Sequence, residues 1–234
     1  IKRLILLKIS KKDKIVSIGG GITQDVTSFI SMVLFRGISW EYFPTSLLAM
    51  GDSCIGSKLS VNFNNFKNQI GGYYPPSKIY IDISFLDTLS KKHIYSGLGE
   101  LCHYHFISNK NDFDFFSNSL HKIFKKNIPA TKLLILNTLK IKKKFIEIDE
   151  FDISQRLILN YGHTFGHAIE SYFGYKIPHG LAICIGMNLS NYFSYKKKYI
   201  SLIEFKKMEK VLKLIKSDLG INKINLNSYL KLLE

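Results

Sequence analysis

The segment Asn160-Tyr161-Gly162-His163-Thr164-Phe165-Gly166-His167-Ala168-Ile169-Glu170, followed by Pro178-His179-Gly180, gathers three imidazoles into a short stretch of chain. If the first part is helical, His163 and His167 at i, i+4 share one face, and the following turn can bring His179 to them. Imidazole nitrogens grouped in this way are what a divalent metal centre uses. The same pair also suits partly buried histidines satisfied by backbone hydrogen bonds, and the spacing alone does not choose between the two.

A second candidate lies near the start. Lys14-Ile15-Val16-Ser17-Ile18 is an apolar run of strand length that ends in Gly19-Gly20-Gly21, and Asp25-Val26-Thr27-Ser28-Phe29 opens a helix-like segment. Strand, glycine turn and helix is the order of a phosphate cradle, because glycine lets the backbone approach a pyrophosphate and the first N–H groups of a helix favour an anion. Gly-Gly-Gly-x-x-x-Asp falls short of the full GxGxxG pattern, and an ordinary tight turn uses the same residues.

The elements that would position these groups divide the chain. Residues 39–44 and 78–82 read as strands, separated by a loop-rich stretch with few helix signals. After about residue 90 the pattern turns helical, with segments near 93–107, 112–126, 130–148, 160–172, 180–199 and 202–216. Leu202, Phe205, Met208, Leu212 and Ile215 show the helical spacing, and core packing accounts for such stripes. An α/β part over 1–90 and an all-α part over 91–234 are expected, the glycine turn on the first and the histidines on the second. A ligand is expected in a cleft between them.

Composition narrows the function. Of 234 residues, 46% are hydrophobic, enough for a sizeable core. No apolar run approaches the roughly 18 to 20 residues of a membrane span, and the Lys-rich start has no signal-peptide cleavage pattern, so a soluble cytoplasmic protein without a membrane partner is expected. Cys54, Cys102 and Cys184 are odd in number and form no CxxC, which fits buried small hydrophobes. The net charge of +15 is almost all lysine. Arg3, Arg36 and Arg156 are the arginines, no nucleic-acid motif accompanies them, and nucleic acid is not expected as a partner. Ile1 is not Met, and Ile1–Leu7 reads as the end of an amphipathic helix, so the chain is expected to be a fragment.

Taken in order, a longer series of motifs becomes visible. Gly19-Gly20-Gly21-Ile22-Thr23-Gln24-Asp25, Phe35-Arg36-Gly37, Phe43-Pro44-Thr45-Ser46-Leu47-Leu48-Ala49 and Asp52-Ser53-Cys54-Ile55-Gly56-Ser57-Lys58 are followed by Lys67-Asn68, Pro75-Pro76 and Gly97-Leu98-Gly99-Glu100. Asn160-Tyr161-Gly162-His163 and His179-Gly180 complete it. In order and spacing this closely resembles the 3-dehydroquinate synthase family, within the wider sugar-phosphate cyclases. The resemblance implies an incomplete Rossmann-like NAD-binding domain followed by an all-α metal-binding domain, with the family's first βαβ unit and last helical section lying beyond this sequence.

The resemblance also implies site residues. Metal ligands would be Glu100, His163 and His179, holding zinc or, alternatively, cobalt, while His167 would face the substrate phosphate. NAD would be held by Gly19, Gly20, Gly21, Asp25, Thr45, Ser46, Asp52, Lys58, Lys67 and Thr88. Substrate would meet Lys58, Lys67, Asn68, Lys142, Arg156, Asn160 and His167, with Arg36 reaching into the neighbouring subunit of a homodimer. Asp52, Lys58, Lys142, Arg156, Asn160 and His167 would be the catalytic set.

The implied chemistry is a lyase reaction of the shikimate pathway on a small keto-acid sugar phosphate. The metal polarises a ring hydroxyl, NAD takes a hydride and returns it, phosphate leaves by elimination, and ring opening with an intramolecular aldol step closes a carbocycle. Arg156 favours a carboxylate substrate through its planar fork. The alternatives are another sugar-phosphate cyclase, a metal-dependent NAD polyol or glycerol-phosphate dehydrogenase, or an inactive fragment. Three positions depart from the family pattern: His103 stands where a Lys is usual, Ser57 where a Gly precedes Lys58, and Leu181 where a Glu follows His-Gly.

Overall fold

The computed structural model describes residues 1–64, 66–215 and 225–233, with the backbone alone for Phe66, Lys67 and Leu226. The chain divides into two compact units, Ile1–Leu89 and Ser90–Glu234.

In the first unit a short helix α1 (Lys2–Leu6), with no buried residue, precedes β1 (Lys14–Gly19), α2 (Gly21–Val33) and β2 (Ser39–Pro44). The hairpin strands β3 (Lys58–Phe63) and β4 (Phe66–Tyr73) follow, and then β5 (Lys78–Ile79). β1, β2 and β5 form a parallel sheet in the order β1-β2-β5, with α2 as the crossover between the first two. The middle strand is the most covered: Trp40, Glu41, Tyr42 and Pro44 are buried. The buried Glu41 is matched by Lys14, whose Nζ lies 2.6 Å from Oε1 across the β1–β2 pair.

The stretch between 44 and 78, expected to be loop-rich, holds further regular structure among its described residues. A π-helical turn spans Ala49–Ser53, and β3 pairs antiparallel with β4, with a register shift between Val61 and Phe63. The strands escape a reading by pattern because Gly71 and Gly72 supply no apolar side chain. Structure needs glycine there: a Cβ on Gly71 would stand 2.1 Å from the Leu59 carbonyl oxygen. The strand expected over 78–82 stops at Ile79, since Asp82 accepts the Ser84 N–H and starts a 3-10 turn over Ile83–Thr88.

The second unit consists of α3 (Lys91–Ser108), α4 (Lys110–Phe124), α5 (Ile128–Ile148), α6 (His163–Tyr172), α7 (His179–Lys196), α8 (Leu202–Ile215) and α9 (Leu226–Leu230). Asn109 and Asn127 cap α4 and α5 by accepting the N–H groups of Asp112 and Ala130, and Pro129 occupies the first turn of α5. α3 is buried without a break from Ser96 through His105, and α7 from Gly180 through Cys184, so these two helices run through the core. The helix expected from 160 begins at His163, because Gln155–Asn160 forms a 3-10 turn and Gly162 is left-handed. Among the described residues no helix is long and apolar enough to cross a membrane.

Candidate functional site

In the second unit α3, α6 and α7 are drawn together by the absence of side chains. A Cβ on Gly180 would lie 1.8 Å from the Ser96 carbonyl oxygen, and one on Gly99 2.1 Å from the Gly180 oxygen, so α3 and α7 touch backbone to backbone. Gly162, with φ +82°, begins α6 in a conformation that other residues rarely adopt, and a Cβ there would meet Met187 of α7 at 2.5 Å. These approaches carry Glu100, His163 and His179 to one place.

The Oε1 of Glu100 lies 3.2 Å from His163 Nε2, and its Oε2 lies 3.4 Å from His179 Nε2. A metal held at about 2.0 to 2.2 Å in tetrahedral geometry separates its donors by about 3.4 Å, and each of these two nitrogen–oxygen separations is close to that length. The other ring nitrogens are committed. His179 Nδ1 is 2.9 Å from Glu170 Oε2, and His163 Nδ1 is 3.3 Å from the Tyr161 carbonyl oxygen. An Nδ1–H donated to an oxygen leaves the Nε2 lone pair for a cation, the usual support of a metal-bound imidazole.

With no cation between them, the carboxylate and the imidazoles balance one another's charge. Burial alone would push Glu100 up, but the charges of His163, His179 and His103, with the His163 hydrogen bond, hold it well below the ordinary carboxylate range. Burial would lower His163, and Glu100 outweighs it and raises the imidazole. Oε2 of Glu100 is buried and accepts no hydrogen bond from the described residues. An ionised oxygen in that condition is costly unless a cation meets it.

His167, one turn beyond His163, is exposed, and its ring centroid lies 5.3 Å from that of His163 and 5.5 Å from that of His179. The three histidines offer nitrogens within 4.8 Å of one another, so the imidazole triad of the helix reading is assembled. Glu170 is the residue that motif reasoning passed over. It follows His163 at i+7 and His167 at i+3 on the same face, and that spacing was the available sign.

The remaining candidates of this unit lie on α5 and the 3-10 turn. Lys142 and Arg156 are buried, and Asn160 is exposed. Arg156 donates from Nη1 to the Glu150 carbonyl oxygen at 2.5 Å, and its Nε lies 3.9 Å from Asp152 Oδ1. Asp149 fixes the turn by accepting the N–H groups of Ile153, Ser154 and Arg156, and burial notwithstanding, these bonds bring its carboxyl down to about 2. Leu181, where the family pattern has Glu, is buried in the core.

The first unit carries the glycine turn. Gly19 closes β1 and Gly20 is the N-cap of α2, with no side-chain cap hydrogen bond among the described residues. A Cβ on Gly21 would meet nothing within 4 Å, so its backbone is open to approach. Thr45 N–H donates to the Gly19 oxygen at 2.9 Å, and Ser46 stands beside Gly20. Gln24 of α2 exchanges hydrogen bonds with Ser53, next to Asp52, at 2.6 and 2.7 Å. An uncapped helix start behind small residues fits a pyrophosphate.

Other predicted residues of this unit lie farther along it. Asp25 accepts the Ser60 N–H, and burial raises its carboxyl to about 6. Lys58 and Asn68 lie on the exposed hairpin, where Ser60 Oγ donates to Asn68 Oδ1 at 2.9 Å. Ser57 has φ +59°, which explains a glycine at that position in the family pattern. Arg36 is exposed, as is Thr88, whose hydroxyl donates to the Phe85 oxygen of its own turn. The Lys67 side chain lies outside the described residues.

Comparison with known proteins covers the whole chain. The family model for the 3-dehydroquinate synthase N-terminal part matches residues 1–96, and the model for the C-terminal part matches 97–234. The 3-dehydroquinate synthase of Dictyoglomus thermophilum is 40% identical over 203 residues, covering 86% of this chain and 57% of that protein. That of Pelagibacter ubique is 38% identical over 232 residues, 96% of this chain and 63% of that one. The chain thus spans about three-fifths of the length of these relatives. A crystal structure of 2-deoxy-scyllo-inosose synthase complexed with carbaglucose-6-phosphate, NAD+ and Co2+ superposes with a TM-score of 0.89 at 29% identity, over 99% of this chain and 64% of that one. A 2-epi-5-epi-valiolone synthase from Streptomyces hygroscopicus with NAD+ and Zn2+ bound gives a TM-score of 0.90 at 22% identity, over 99% and 65%, and shows the shared fold.

Proposed function

The chain belongs to the 3-dehydroquinate synthase family, and we propose that the full-length protein converts 3-deoxy-D-arabino-heptulosonate 7-phosphate to 3-dehydroquinate and phosphate. The observation that carries the reading is the buried Glu100 carboxylate, one oxygen facing His163 and the other, without a hydrogen bond among the described residues, facing His179. Glu100, His163 and His179 hold the divalent metal, and Glu170 and the Tyr161 carbonyl orient the two rings toward it. Gly19, Gly20 and Gly21, with Thr45, Ser46 and the start of α2, hold the NAD pyrophosphate; Asp25, Asp52, Lys58, Lys67 and Thr88 complete the cofactor set.

When bound, the metal supplies a Lewis acid at a ring hydroxyl and NAD a reversible hydride acceptor. The side chains do the rest by positioning. His167, exposed beside His163 and His179, offers an imidazole to the leaving phosphate. Lys58, Lys67, Asn68, Lys142 and Asn160 bind the remaining oxygens, and Arg36 serves the partner's site in a homodimer. Arg156, its guanidinium steadied by the Glu150 carbonyl, receives the substrate carboxylate.

Substrate class tests the reading. Arg156→Ala in the full-length protein is expected to lower kcat/KM for the keto-acid phosphate by roughly 30- to 1000-fold, about 2 to 4 kcal/mol. A neutral sugar phosphate should lose much less. Equal losses on both would assign Arg156 to phosphate or fold, and unchanged turnover of the keto acid would sink the dehydroquinate assignment.

A further inference from the structure

His103 sits one helical turn after Glu100 on α3, at i+3, and therefore on the same face. Its Nδ1 lies 3.7 Å from Glu100 Oε1, the oxygen that also faces His163. The ring is confined: its centroid is 3.9 Å from that of Tyr104, and the His163 ring stands edge-on at 5.5 Å and 89°. Exposure separates His103 from its neighbours. Its side chain is 1% exposed, against 13% for His163 and 32% for His179. A group so covered is badly placed to meet a substrate arriving from solvent and well placed to act on the carboxylate beside it.

Resting on the metal-centre reading above, we propose that His103 is a positioning residue for Glu100, donating its Nδ1–H to Oε1 and fixing the carboxylate against His163 and His179. This pair must close from 3.7 Å to the roughly 2.7 to 3.2 Å of an N–H···O bond when the carboxylate is held on a metal. A carboxylate ligand is itself oriented by hydrogen bonds, and their loss loosens the metal. His103 and Glu170 then act alike, one on the carboxylate ligand and the other on an imidazole ligand, each from behind the site. Where the family pattern has a long mobile lysine, this chain has a short locked donor turned toward the metal ligand.

The test is zinc affinity of the full-length protein by competition with a chromophoric chelator, with the cobalt-substituted absorption spectrum as second readout. His103→Leu is expected to weaken zinc about 10- to 100-fold and to shift the cobalt bands. His103→Gln, whose amide can donate to the same oxygen, is expected to recover much of the loss; a purely structural role would give no such rescue. Both variants within twofold of the parent would overturn the proposal, as would Gln and Leu being equally impaired. The parent protein gives an answer that needs no variant to fold. In nitrogen-15 spectra of the zinc-loaded form, the His103 ring should keep the shifts of a metal-free imidazole with a slowly exchanging Nδ1 proton, and a metal-bound shift at either nitrogen would overturn the assignment. Glu100→Gln is the control: if it keeps full zinc affinity, the metal-centre reading fails, whereas its loss with normal His103→Leu affinity defeats this inference alone.

Discussion

Glu170 touches the proposed metal only through His179, which makes it the sharpest probe of how the centre is held. Its Oε2 accepts from His179 Nδ1 at 2.9 Å, and the side chain is nearly buried, so water is poorly placed to replace it. A hydrogen bond to a charged group is worth about 1.5 to 3 kcal/mol. When His179 gives its Nε2 lone pair to a cation, its Nδ1–H becomes a stronger donor, and only that strengthening enters the metal affinity. Glu170→Ala should therefore weaken zinc about 10- to 100-fold, about 1.4 to 2.7 kcal/mol. Glu170→Gln keeps an acceptor of the same length without the charge and should fall between Ala and the parent. Chelator competition measures both, and melting of the metal-free forms separates affinity from folding. Parent-like affinity in a folded Glu170→Ala protein would refute the reasoning, and so would a Gln variant that binds more weakly than Ala.

Two further expectations concern the scaffold. Gly180→Ala would place its Cβ 1.8 Å from the Ser96 oxygen and force α7 away from α3, so the protein should lose about 1 to 3 kcal/mol of stability and much of its zinc affinity; denaturant midpoints and metal titration check this, and a parent-like variant would contradict the packing account. His105 is brought down to about 4 by burial, while its Nε2 and Nδ1 meet Thr138 Oγ1 and the Asp112 oxygen. Its folded-state value lies below the unfolded one near 6.5, so its contribution is complete above about pH 6.5 and is lost as pH falls toward 4, at most about 3 kcal/mol. Urea midpoints measured across that window should fall less steeply for His105→Gln than for the parent, and identical slopes would refute the linkage.

How much of this could be read from residues depended on what each element shows of itself. The helices of the second unit were legible because apolar residues recur at 3.6-residue spacing, and their edges moved by only a few positions where Gly162 or Asn109 sets a boundary. The proposed centre came from two sources: the i, i+4 spacing singled out His163 with His167, whereas the set Glu100, His163 and His179 was implied by the resemblance alone. Glu170 stood in the same motif but needed His179 in space before its carboxylate had a task. The α3–α7 crossing was hidden because Gly99 and Gly180 act by lacking atoms, and the contact lies between residues distant in sequence. The hairpin was hidden for a related reason, its glycines and asparagines erasing the alternation that marks a strand. For His103 the residue change was visible, whereas its confinement between Tyr104 and His163 is a property of the fold.

The most direct measurement of the central claim is a turnover assay of the zinc-loaded, full-length protein with NAD held well below the keto-acid phosphate, following phosphate, 3-dehydroquinate and absorbance of reduced nicotinamide together. Phosphate and 3-dehydroquinate should rise in equal amounts through many turnovers per NAD with no accumulation of reduced cofactor, and chelation should stop both. Reduced nicotinamide accumulating in step with substrate loss would instead make the protein a dehydrogenase and contradict the account.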